Sequence, residues 1–189
     1  EDSLIFRLTS RDLEGAGSFA KRADGDVYDS TDYKAANYKW ILKFHNNTPS
    51  PQKNFVFYDE TVDPRLKFTR IDYSRLMEGN YGIGKQIHTI VKRIILTMED
   101  GSTKEIQSEA DKDGNGLIDL TKYGTVVGWR MEMKDDFVLQ SGQGITLNSY
   151  TSFKDPEKTR YDETDATKNV YKNTGRVTYK TQSNVAKDQ

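Results

Sequence analysis

The sequence predicts an all-β fold, an antiparallel β-sandwich with long loops, and three observations carry that expectation. Short runs of aromatic and β-branched residues alternate with polar ones at period two. Gly, Pro, Asn and Asp punctuate the gaps between those runs. Hydrophobic residues make up only 34% of the 189 residues and charged residues 30%. Alternation at period two puts one set of side chains on one face of a strand, and a sandwich suits a polar chain because each strand gives a single face to the interior.

Taken in order, residues 1–36 open with a possible strand, Leu4-Ile5-Phe6-Arg7-Leu8, and continue as a polar stretch rich in Gly, Asp and Ser. Tyr38, Trp40, Leu42 and Phe44 then share a parity, with Lys39 and Lys43 on the other, and this predicts a strand. Asn46-Asn47-Thr48-Pro49-Ser50-Pro51 reads as a loop. Asn54–Asp59 is the next strand, closed by Asp63-Pro64, and Leu66–Ile71 the one after it. Residues 87–98 fit two templates. Ile87, Ile90, Val91, Ile94, Ile95 and Met98 match an amphipathic helix, yet Ile94–Met98 is β-rich and runs into Glu99-Asp100-Gly101-Ser102. Asp-Gly between β-prone runs signals a hairpin, so a strand is expected over residues 90–98, with Lys104-Glu105-Ile106 returning. Val127–Met133, Ile145–Thr151 and Arg176–Thr181 complete the strands, and residues 154–172 are charged and irregular. One domain over residues 1–189 is expected; two smaller β domains, 1–80 and 81–189, are the alternative.

Charge narrows the function. With 28 basic and 29 acidic residues the net charge is −1, so no field of one sign draws in phosphate backbones, and nucleic acid is not an expected partner. No apolar run approaches the roughly 20 residues that span a bilayer, so this segment is not expected to insert in a membrane. The absence of cysteine excludes thiolate metal sites, cysteine nucleophiles and disulfides. Neither end reads as a signal peptide or an anchor, and both look like cuts in a longer protein.

The sharpest local motif is Asp111-Lys112-Asp113-Gly114-Asn115-Gly116-Leu117-Ile118-Asp119. Oxygen-bearing side chains at positions one, three, five and nine, with Gly at six, are the layout of a calcium loop. The candidate ligands are Asp111, Asp113, Asn115, Leu117 at position seven, and Asp119; Ile118 at position eight would tie the loop to the core. Lys122 stands where a bidentate Glu is expected, so the set would need another carboxylate, with Glu105, Glu109 and Asp100 nearest in sequence. The competing reading is a polar turn closed by Asn115-Gly116.

Other motifs carry less. Gly79–Gln86 is close to a P-loop but has Gln86 in place of the magnesium-holding hydroxyl and no alternating β/α pattern around it. His45 and His88, the two histidines, form no His-Glu-x-x-His pair, and no Gly-x-Ser-x-Gly elbow occurs. The adjacent acids Asp59-Glu60, Asp135-Asp136 and Asp162-Glu163 are expected among 29 acidic residues without any glycosidase role. No catalytic residue is assigned, and an enzyme is not expected. Among the 11 tyrosines, Tyr150, Tyr161 and Tyr171 lie nearest the irregular segment and are candidates for a binding face.

Tyr38–Asn47 followed by Asn54–Thr61, with an Asn-containing turn between and Asp-x-x-Pro-like punctuation after, resembles the Ig-like repeats of Gram-positive cell-wall-anchored surface proteins. Asn173-Thr174-Gly175 before the last strand, Asp119–Gly124 and Gly142-Gln143-Gly144 are similar to the corresponding adhesin segments, and the likeness spans about two-thirds of the chain as short, ordered matches. The resemblance implies an Ig-like sandwich serving as an adhesin or stalk domain outside the cell, between neighbouring domains of one chain. It implies as partner a host or bacterial surface protein or glycan. It also implies a possible Lys–Asn amide cross-link, with Lys39 or Lys43 as amine, Asn173 as acceptor and Asp59 or Glu60 as the assisting acid. A carbohydrate-binding module of a secreted polysaccharide-degrading enzyme is the alternative from another class.

Overall fold

The computed structural model describes residues 18–23, 37–73, 90–106, 116–159, 164–181 and 186–189, with the backbone alone at 18–23 and at 169. Among these described residues twelve strands follow one another: β1 (Ser18–Ala23), β2 (Tyr38–His45), β3 (Gln52–Val62), β4 (Leu66–Asp72), β5 (Val91–Met98), β6 (Thr103–Glu105), β7 (Leu117–Asp119), β8 (Val126–Met133), β9 (Val138–Leu139), β10 (Gly144–Phe153), β11 (Asn173–Thr181) and β12 (Ala186–Asp188). Every pairing is antiparallel, so the all-β expectation holds. The opening strand expected at Leu4–Leu8 lies outside the described residues.

The strands form one sheet in the order β1-β2-β10-β4-β8-β3-β11-β12; β5 branches from β8 and carries β6, while β7 and β9 edge β4 and β3. β3 and β4 thus take all their partners from residues beyond 80, and β2 takes one of its two, β10, from there. The sheet curls on itself, as ring contacts between strands that share no ladder show. Phe44 of β2 meets Phe55 of β3 at 5.2 Å and Tyr179 of β11 at 5.1 Å between ring centroids. Those rings, with Leu42, Phe57, Trp129, Met131, Leu147 and Val177, form the main core. A second cluster of Trp40, Leu66 and Phe153, with Tyr38, Val62 and Tyr171 packed against it, lies further along the same strands. Burial of this apolar area supplies the dominant favourable term.

The alternation read from the sequence decides which side chains enter. In β2, Trp40, Leu42 and Phe44 are buried and Lys43 is exposed, while Ile41, at the parity of the lysines, departs from the alternation and is buried as well. The register pairs Leu42 with Leu147 and Phe44 with Ile145 on β10. Residues 91–98 form a strand, and the helix-like spacing has a cause: the ladder to β8 shifts register between Val91 and Arg93. An extra residue at a bulge lets Val91 and Ile94 both face the core at a separation of three. Beyond it, Ile94 and Leu96 are buried while Ile95 faces Arg130. The Asp-Gly turn closes as expected: Gly101 sits at φ 82° and β6 pairs Thr97 with Thr103.

The 46–51 loop is organised by one side chain. Asn46 is buried; its amide donates to the carbonyls of Ser50 (2.9 Å) and Leu139 (3.1 Å), and its Oδ1 accepts from the Thr48 N–H and hydroxyl. With Asn46 N–H bonded to Gln143 O and Gly142 N–H to Asn46 O, this residue ties the β2–β3 loop to the turn before β10.

Candidate functional site: a buried acid between strands

Asp59 continues the inward parity of Phe55 and Phe57 on β3 and is fully buried. Burial of an ionised carboxylate is costly unless hydrogen bonds replace its water. Two donors come from strands across the interior or beside it. Ser149 of β10 donates through its hydroxyl to Oδ2 at 2.8 Å, and Asn173, the first residue of β11, donates through Nδ2 to the same oxygen at 3.4 Å. Ser149 stands opposite Trp40 in the β10–β2 register, and the Trp40 indole N–H donates to Thr151 Oγ1 at 2.8 Å. These polar groups lie among strand positions that otherwise feed the two apolar clusters. Asn173 Oδ1 and the Trp129 indole nitrogen, on the residue paired with Asp59, are buried without a hydrogen bond.

The sequence named Asp59 and Asn173, and the structure brings them together. Trp40, Ser149 and Thr151 were read from the sequence only as strand positions continuing the alternation, and no local pattern records that Ser149 lies within reach of Asp59. Lys39 and Lys43 stand on β2 at the parity opposite to Trp40, Leu42 and Phe44, across from Tyr150 and Thr146. Successive side chains of a strand leave on opposite faces, so both lysines point away from Asp59 and Asn173. Glu60, the other candidate acid, is exposed on the outward face. An amide between Asn173 and either lysine would require β2 to shift by one residue, which would also turn Leu42 and Phe44 out of the core.

Of the candidate calcium loop, Asp111, Asp113 and Asn115 lie outside the described residues. Gly116 sits at φ 72°, the left-handed turn conformation that position six calls for. Leu117 pairs with Asp72 and exposes its side chain, whereas Ile118 is fully buried against β4. Asp119 Oδ1 accepts from the Thr121 N–H at 2.9 Å and from its hydroxyl at 2.6 Å. Those bonds, chiefly the hydroxyl, hold its carboxyl below the usual range. A carboxylate that is already ionised and fixed at the loop's exit fits a hard cation, but it fits equally an Asx turn that leads the chain into the short 3-10 turn Thr121–Tyr123. Among the described residues no three His, Cys, Asp or Glu side chains cluster as metal ligands.

Two of the three candidate binding tyrosines, Tyr150 and Tyr171, each carry an arginine over one ring face. The Arg70 guanidinium lies 4.1 Å from the Tyr150 ring centre, and Arg65 lies 4.1 Å from that of Tyr171, which also packs on Phe153. Tyr161, His88 and Gly79–Gln86 fall outside the described residues. His45 is exposed, with Nε2 3.1 Å from Gly142 O. No known protein family matches the chain, and no curated protein matches it either.

Proposed function

We propose that this chain is a non-enzymatic extracellular domain of a bacterial cell-wall-attached surface protein, of the stalk or adhesin kind. The observation that supports it is how the structure uses its large aromatics. Trp40, Trp129, Tyr73 and Tyr179 are buried. Tyr38 and Tyr171 pack on Phe153, and Tyr123 packs on the main core. Tyr58 and Tyr150 are each covered on one face by an arginine, at 3.9 and 4.1 Å. Among the described residues the exposed large apolar side chains are Leu117 and Val138, and neither is aromatic. A module that grips polysaccharide by ring stacking needs open aromatic faces; among the described residues the rings are buried, packed on other rings or faced by arginine, which favours a scaffold. Antiparallel strands drawn from the whole chain into one curled sheet suit a spacer or a rigid display platform.

The chain would be passed over immobilised polysaccharides and over immobilised host-surface proteins. Retention by a protein, or by neither, fits the reading. Firm retention on a polysaccharide would replace it with the carbohydrate-binding module. Calcium, if held by residues 111–119, is structural in this proposal, neutralising the carboxylates of the loop before β8. Added calcium is then expected to raise the melting temperature, with the shift lost in an Asp111→Ala, Asp113→Ala variant; ligand present at a hundredfold excess over its dissociation constant stabilises by about 2.7 kcal/mol. Identical melting curves with calcium and with chelator would reduce the loop to a turn.

A further inference from the structure

We draw no further inference here: the strongest candidate, the surface row Arg176–Tyr58–Arg130 on the outward face of β11, β3 and β8, has its cations paired with Asp188 and Glu132, and nothing in the structure shows what covers it.

Discussion

The two apolar clusters are held in different ways. In the main core, Phe55 touches Phe44, Phe57, Phe137 and Tyr179 at centroid distances of 5.2 to 6.2 Å and is fully buried. There the rings interlock and exclude water. The smaller cluster around Trp40, Leu66 and Phe153 is bounded by polar devices. Trp40 is tethered to Thr151, the Asp59–Ser149–Asn173 bonds lie across β3, β10 and β11, and Arg65 reaches over Tyr171. One region relies on area and the other on geometry, so their responses to substitution should separate.

The largest effect is expected in the main core. Phe55→Ala should destabilise by about 3–5 kcal/mol, the range for deleting a buried ring whose surroundings cannot collapse. Phe153→Ala, with partly exposed neighbours free to relax, should cost roughly 1 kcal/mol less on the same basis. Chemical denaturation of both variants measures the difference, and equal losses would erase the contrast between the clusters.

The buried acid comes next. Asp59→Ala strips the acceptor from Ser149 and Asn173 and should cost about 1–3 kcal/mol, the usual penalty for stranding buried donors. Asp59→Asn keeps an oxygen acceptor and should lose less. A buried carboxylate can also cost more to desolvate than its bonds return. If Asp59→Leu proves more stable than the parent, the acid is retained at the expense of stability, and a role beyond scaffolding gains weight.

How legible this was differs by element. Strands that carry their own alternation, such as β2 and β8, could be read directly, because burial on one face forces that pattern. β5 could be read only by weighing the Asp-Gly turn, since its bulge counterfeits helical spacing. β1, β7, β9 and β12 were missed. They are short, or polar like Ser18–Ala23 and Ala186–Asp188, and exist through ladders to β2, β4, β3 and β11, which no local pattern records. At the candidate site, Asp59 and Asn173 were named from the resemblance as members of a cross-link, whereas what the structure shows between them is a hydrogen bond. The faces of Lys39 and Lys43 could be read from their alternation with Trp40 and Leu42, and that parity is what separates them from Asn173.

A smaller effect is expected where the 165–172 segment meets the β3–β4 turn. The Arg65 side chain donates to both carboxylate oxygens of Asp63, at 2.8 and 2.7 Å, and to the carbonyls of Lys168 and Val170, at 2.5 and 2.8 Å. Arg65→Ala should cost about 1–2 kcal/mol, since several charge-assisted bonds are lost at a half-exposed site. Arg65→Lys should restore little of it, because an ammonium cannot span a carboxylate and two carbonyls as the planar fork does. Hydrogen exchange at Val170 N–H, bonded to Thr167 O, would report local loosening before global stability falls. Unchanged protection there would show that the segment holds itself.

The smallest effect is one of pH at the same clamp. Burial pushes the Asp63 carboxyl up, but the side-chain and backbone N–H donors of Arg65 and its positive charge outweigh that, and the net direction is below the ordinary carboxylate value. A group whose folded pKa is depressed contributes stability that is fully present above its unfolded pKa and is lost as pH falls through the folded value. The clamp should therefore be insensitive to pH across the neutral range and weaken only below the usual carboxylate pKa of about 4. Acid titration of stability in the parent and in Asp63→Asn isolates this contribution. The two curves should run parallel from neutral pH down to the carboxylate range and converge below it. Convergence near neutrality would mean that Asp63 is not ionised against Arg65, and the smaller cluster would then depend on ring packing as the larger one does.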